Sequence, residues 1–292
     1  MQTIRTLIGG FLMGTADLVP GVSGGTIALV LGIYERLITS IREGSSALGS
    51  LVKLDIDGVR RHLRKVEWEF LIPLLLGILL AVVLLASFLE HQLEVRPTVL
   101  AGLFLGLVAG SVFIAWALVK RPGPAHVVIA TVVGLVLFFL LGFGEGEALS
   151  DPSYLAFFGA GALAICAMIL PGISGSLILL MLGMYAPVLA AVSDRDIATI
   201  AVVGLGAVVG LAVFSQVLNW ALTNHHDPVL AALVGLMAGS TRVLWPWPDG
   251  VLSSELGSPG DDWIVVGVAA LLGVGAVYLI SRLAAEKETP VV

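Results

Sequence analysis

The chain is poor in charge. Only 12% of its 292 residues are Asp, Glu, Lys or Arg, about half the share of a typical soluble domain. It has one cysteine, Cys166, so no internal disulfide can form and the redox compartment stays open. Walker A, His-Glu-x-x-His and Cys-x-x-Cys patterns are all missing, which removes the usual signatures of nucleotide, zinc-protease and dithiol chemistry. His225-His226-Asp227 groups metal-ligand residue types, but no second cluster supports it, so it reads as a polar loop. No metal, cofactor or nucleic-acid partner is expected. A cleaved leader is not expected either. The first apolar stretch runs into a Gly/Pro motif without a small-residue cleavage site.

Apolar sequence is what the chain has in quantity, at 58% of residues, with 35 glycines. Glycine lets membrane helices approach closely. Six runs contain almost no formal charge: Leu71 to Leu89, Val99 to Val119, Val127 to Phe143, Ile197 to Leu222, Val229 to Leu244 and Trp263 to Ile280. A span needs about 20 apolar residues. These lengths predict an all-α polytopic membrane protein.

The chain also repeats itself. Pro20, Gly21, Ser23, Gly24, Gly32 and Tyr34 match Pro171, Gly172, Ser174, Gly175, Gly183 and Tyr185 at one constant offset. Downstream, Leu105 to Ser111 answers Val234 to Ser240. Each copy reads as a Pro-Gly-broken hairpin followed by three spans, over residues 1–145 and 146–292. The first copy carries a polar insert, roughly 39–68.

Lys and Arg set the orientation. The insert, Lys120-Arg121, Arg282 and Lys287 fall on one side, taken as cytoplasmic together with both termini. The acidic stretches Glu145 to Asp151 and Asp249 to Asp262 fall outside. Of the 15 Lys and Arg, the exceptions are Arg96, Arg195 and Arg242. An odd number of spans between the hairpins makes the copies inverted, which is a transporter architecture. The arms Thr6 to Val19 and Thr26 to Ile38 are each roughly 20 Å as helix, short of the roughly 30 Å hydrocarbon core. Re-entrant hairpins plus six spans are therefore expected, with ten full spans as the alternative.

The hairpin tips could carry chemistry. Pro20-Gly21-Val22-Ser23-Gly24-Gly25-Thr26 breaks one helix and starts another. A restarted helix offers free N–H groups and a positive dipole end, which suit a phosphate. Ser23 and Thr26 add hydroxyls. Pro171, Gly172, Ser174, Gly175 and Ser176 offer the same from the second copy. A tight packing crossing is the plainer reading.

Several charges are candidates too. Asp17 has Met168 as its counterpart. A carboxylate inside an apolar hairpin is a functional candidate: it would hold a coupling proton or cation, or else cap backbone. Glu35 and Arg36 are either a gate and headgroup contact or a solvated pair. Arg242 either attracts an anion or snorkels beside Trp245-Pro246-Trp247. Val59, Leu63 and Val66 share a helical face opposite Arg60, Arg61, Arg64 and Lys65. That pattern fits an interfacial helix on anionic membrane lipids, and equally a plain basic loop.

The paired motifs Ala16-Asp17-x-Val19-Pro20-Gly21-Val22-Ser23-Gly24-Gly25-Thr26 with Gly32 to Arg36, and Pro171 to Ser176 with Gly183 to Tyr185 and Gly239-Ser240 before Trp245-Pro246, resemble the polyprenyl-phosphate transporter family. The likeness covers nearly the whole chain. It implies a flippase returning undecaprenyl phosphate or a related polyprenyl phosphate from the outer to the inner leaflet of the plasma membrane for envelope glycan synthesis. Membrane undecaprenyl-pyrophosphate phosphatases share hairpins of this kind but carry Pro-Gly-x-Ser-Arg-Ser-Gly. Gly24 and Gly175 stand at the arginine position here, and the glutamates expected upstream are missing. The phosphatase and a small-anion or ion transporter are the alternatives. Oligomeric state is not legible.

Overall fold

A computed structural model describes residues 2–19, 21–144, 146–251 and 255–285. Among these residues every regular element is a helix. Six helices are long and apolar enough to cross a bilayer: α5 (Trp68–Val95), α6 (Pro97–Trp116), α7 (Pro124–Leu140, extended by a 3-10 turn to Phe143), α11 (Ile197–Asn224), α12 (His226–Ser240, extended by a 3-10 turn to Leu244) and α13 (Trp263–Ala285). They cover five of the six apolar runs in full and the run from Val99 as far as Trp116, and the chain is a multi-pass membrane protein. Large apolar side chains such as Val83, Phe113 and Leu271 point outward, each more than 70% exposed, as lipid-facing residues do.

Six of the other helices build two broken hairpins. The first comprises α1 (Gln2–Asp17), α2 (Gly24–Val30) and α3 (Tyr34–Val52). The second comprises α8 (Tyr154–Ile169), α9 (Gly175–Met181) and α10 (Tyr185–Ser193). α9 and α10 meet at a 111° bend. The returning arm is therefore not one helix, as Thr26 to Ile38 suggested. It breaks again after seven residues. Gly32 and Gly183 sit at φ +71° and +65°, a left-handed conformation that a side chain would strain. Gly21 and Gly172, at +82° and +85°, do the same at the first breaks.

α3 runs unbroken from Tyr34 to Val52, across residue 39, the expected start of the insert. A short helix, α4 (Ile56–Lys65), then leads back to α5. Asp55 caps α4 by accepting from Gly58 N at 2.9 Å.

Helices associate in four close pairs: α1 with α5, α8 with α11, α6 with α13 and α7 with α12. Glycine allows backbone to touch backbone in each. A Cβ on Gly10 would stand 2.0 Å from Leu74 O, and one on Gly77 2.1 Å from Leu7 O. The matching glycines of the second copy behave alike: Gly161 against Val203 O at 2.2 Å and Gly206 against Phe158 O at 2.0 Å. A Cβ on Gly106 would stand 1.9 Å from Ala270 O, and one on its counterpart Gly235 2.4 Å from Ala130 O.

Polar contacts collect at two ends. At one, His226 Nε2 lies 2.9 Å from Glu35 Oε1 and its Nδ1 lies 2.9 Å from Asp227 Oδ1. Asp227 accepts from Lys120 N and Arg121 N. Arg36 Nε donates to Glu67 Oε2 at 2.7 Å and its guanidinium covers Phe70. At the other, Asp262 accepts from Thr98 Oγ1 at 2.6 Å and from Trp247 Nε1 at 2.9 Å.

Candidate functional site

The two hairpin breaks lie against each other. Ser23 is the N-cap of α2 and its Oγ accepts from Gly25 N at 3.1 Å. The same hydroxyl faces Leu170 O at 3.2 Å and Met168 O at 3.4 Å, across the second hairpin. Thr26 Oγ1 accepts from Gly172 N at 3.0 Å. Tyr34 donates its phenol to Ile169 O at 3.1 Å. A Cβ on Gly25 would stand 2.9 Å from Ile169 O and 3.4 Å from Pro171 N. Ser23, Thr26 and Tyr34 are each no more than 1% exposed. Pro20 lies outside the described residues.

The N-terminus of α2 is already occupied. Gly24 N donates to Asp17 Oδ1 at 2.6 Å, and Gly25 N is held by Ser23. The free N–H groups expected at Gly24 and Gly25 are thus taken by a carboxylate and a hydroxyl. A Cβ on Gly24 would come 2.5 Å from Asp17 Oδ2, so glycine is what allows that cap. Asp17 keeps an exposed edge.

The second hairpin keeps the geometry and changes the chemistry. Met168 stands where Asp17 stands in the first, and a Cβ on Gly175 would come 2.7 Å from its Cγ. Among the described residues no carboxylate caps the start of α9. Ser174 makes no cap bond. Its hydroxyl and that of Ser176 bond each other at 2.7 Å, and both residues are half-buried.

The end of α12 backs both breaks. A Cβ on Gly21 would meet Val243 at 2.7 Å, and one on Gly172 would meet Met237 Cα at 2.7 Å and Ser240 Oγ at 2.9 Å. Arg242 belongs to this same turn. Its guanidinium reaches the end of α7, with Cζ 4.9 Å from the Phe138 ring centre and Nη2 where a Cβ on Gly142 would stand 2.7 Å away.

The structure thus gathers Asp17, Gly21, Ser23, Gly24, Gly25, Thr26, Pro171 and Gly172, with Arg242 on the adjoining turn. Ser174, Gly175 and Ser176 begin the helix that follows. Glu35 and Arg36 do not join them: Glu35 is tied to His226 at the start of α12, and Arg36 to Glu67 and Phe70 at the start of α5. Position 226 lies roughly 20 Å along that helix from position 240. His226 and Asp227 serve there as structural ties. Among the described residues no group of His, Cys, Asp and Glu is arranged to hold a metal.

Sequence reasoning missed Tyr34 as an inter-hairpin tie and the end of α12 as the common floor. The repeat of Tyr34 with Tyr185, and of the Gly235 to Ser240 stretch, was the available signal.

A cavity of about 910 Å³ opens beside the second hairpin, lined in part by Asp151, Tyr154, Pro187, Asp194, Asp196 and Thr199. Among the described residues no Lys, Arg or His lines it, and its charged lining is acidic. Asp196 caps α11 there, and bonds from Thr199 hold its carboxyl below the ordinary range.

A family profile described as VCA0040-like, undecaprenyl phosphate translocase-like, matches residues 13–258. A protein of Vibrio cholerae named polyprenyl-phosphate transporter is 38% identical, over 89% of this chain and 83% of its own length. A Staphylococcus aureus protein of the same name is 31% identical over 97% of both chains. No solved structure matches. With most of its length covered by that profile and its paired hairpin motifs in contact, the chain belongs to the undecaprenyl phosphate translocase-like family.

Proposed function

We propose that this protein is a flippase, not an enzyme, for undecaprenyl phosphate or a closely related polyprenyl phosphate. It would move the lipid from the outer to the inner leaflet of the plasma membrane, returning the carrier for envelope glycan synthesis. The names of its relatives support the substrate. The observation that carries the mechanism is the contact between two broken hairpins with unequal caps. A phosphate headgroup cannot cross hydrocarbon bare, while an isoprenoid tail can remain in lipid. Irregular backbone at membrane depth lines a cavity or is buried in protein.

On this reading residues 1–145 and 146–292 are inverted repeats, with both hairpins re-entrant and meeting near the midplane. The matched glycine contacts of α1–α5 with α8–α11, and of α6–α13 with α12–α7, support the repeat. The end that joins Glu35, Lys120, Arg121 and His226 is the cytoplasmic one, with both termini on that side. The end that joins Thr98, Trp247 and Asp262 is external.

The second hairpin is the better headgroup seat. Ser174 and Ser176 can turn their hydroxyls from each other to a phosphate, and among the described residues no carboxylate bonds Gly175 N. Arg242 adds a positive charge beside the tips. The first hairpin supplies the frame, through Ser23, Thr26 and Gly172. Asp17 holds a coupling proton or cation, and the Glu35–His226 bond closes the cytoplasmic side.

The test is binding and movement of a fluorescent short-chain polyprenyl phosphate in reconstituted vesicles. Ser174→Ala and Ser176→Ala should each weaken binding about ten- to a hundredfold, the worth of a hydroxyl bond to a charged group. If both bind like the parent, the headgroup sits elsewhere. Uptake of inorganic phosphate without lipid movement would instead make the protein a small-anion transporter. Release of phosphate from a polyprenyl pyrophosphate would make it an enzyme.

A further inference from the structure

The arm built by α3 and α4 carries an apolar surface that a water-facing insert does not explain. Leu48, Leu51 and Val52 share one face of α3 at i, i+3 and i+4 spacing, and they are 48%, 52% and 84% exposed. Leu54 at the tip is 82% exposed, Ile56 is 56% exposed and Leu63 is 39% exposed. Exposed apolar residues grouped in this way mark an interaction surface.

The turn itself is unusual. Leu54 N bonds Leu51 O and Asp55 N bonds Ser50 O, which is the Schellman closure of a helix. The left-handed position of that closure favours glycine, yet Leu54 holds it at φ +56°. The same turn closes α10, with Arg195 at φ +57°. A polar side chain thus fills the position in the second copy, and a leucine fills it in the first.

The arm is fixed at the mouth of a span. α4 ends at Lys65, and α5 begins three residues later at Trp68, whose indole N–H donates to Leu63 O at 2.9 Å. Tryptophan at the start of a span marks the membrane–water boundary. Thr39 and Ser45 of α3 face Asn219 and Ser215 near the end of α11. Glu43, 6% exposed, holds α4 to α3 through His62 Nδ1 at 2.8 Å and also bonds Arg42. Gly58 and His62 therefore face α3. At about 100° per residue, Ile56 and Leu63 then fall on one outer stripe, flanked by Arg60 and Arg64. Arg61 and Lys65 fall on the far side, with Asp57 between the two sets.

We propose that this arm is seated on the anionic lipid headgroups of the leaflet where α5 begins. Leu51, Val52, Leu54, Ile56 and Leu63 dip below the headgroups. Arg60 and Arg64 pair with lipid phosphates, and Lys53 does the same at the tip. Apolar residues bordered by arginines on one helix face form the usual pattern of an interfacial helix. The inference needs only that α5 spans a bilayer, and it is independent of which lipid is transported.

The test uses the full-length protein, Cys166→Ala, labelled at Val52→Cys with an environment-sensitive fluorophore. It is reconstituted in phosphatidylcholine with or without phosphatidylglycerol. With phosphatidylglycerol the label should be shielded from an aqueous quencher and reached by a lipid-attached one. Arg60→Gln with Arg64→Gln should shift the seated-to-unseated ratio roughly thirtyfold toward water, given the worth of two basic residues at an anionic surface. Arg61→Gln with Lys65→Gln should leave it unchanged. A label equally open to the aqueous quencher in both lipids would overturn the proposal. So would equal effects of the two double variants, which would mean a diffuse basic loop.

Discussion

Asp17 places a carboxylate on the N–H of Gly24, at the start of α2. Substituting Asn keeps a capping oxygen and removes the charge. If Asp17 carries the coupling proton, Asp17→Asn should abolish the pH dependence of lipid transport while leaving the protein inserted and folded. A transport profile that still follows pH as the parent does would reduce Asp17 to a cap. The residue itself was legible in the sequence, because its counterpart is Met168. Its bond to Gly24 was only an option there, since capping needs a break whose angle no local pattern gives. The ties of Ser23 to Met168 and Leu170 were not legible at all. They cross about 150 positions of sequence, and a hydroxyl's choice between a ligand and a distant carbonyl depends on tertiary packing.

Helix number and placement could be read from run length, because a span is set by bilayer thickness. The second break in each hairpin could not. Gly32 and Gly183 sit within apolar stretches, where glycine signals close packing as readily as a bend. Packing glycines and idle glycines also look alike in sequence and differ sharply in the structure. Gly10→Ala and Gly106→Ala would each drive a methyl into a carbonyl oxygen 2.0 Å and 1.9 Å away. Each should cost about 1–3 kcal/mol or more, seen as a lower thermal midpoint in detergent. Gly267→Ala and Gly275→Ala meet nothing within 4 Å and should be neutral, or stabilising by up to about 1 kcal/mol. Equal midpoints for the two sets would mean that the helix pairs are not held by backbone contact.

Across the whole molecule, each end is knotted by a half-buried acid, Asp262 at one and Asp227 at the other. At one end Asp262 receives Thr98 and Trp247, and these bonds hold its carboxyl below the ordinary 3.8. A lowered value means that the ionised form favours the folded state. That contribution is complete above the unfolded pKa and fades as pH falls through the lower, folded one. The fluorescence of Trp247 should therefore stay constant down to about pH 4 and change only below it, and Asp262→Asn should remove that acid step. A transition centred above pH 4 would assign it to another group. Lys and Arg placement gives these ends an expected orientation, while their internal knots depend on loops whose partners only the folded chain brings together. The glycine contacts also carry a mechanical consequence. Two helices meshed backbone to backbone cannot slide past each other by less than a full step of the mesh. Each of the four pairs must therefore travel as a single stiff beam. Any alternation of access in this protein is then a change of angle between beams, with its pivots in the short bends at Gly21, Gly32, Gly172 and Gly183.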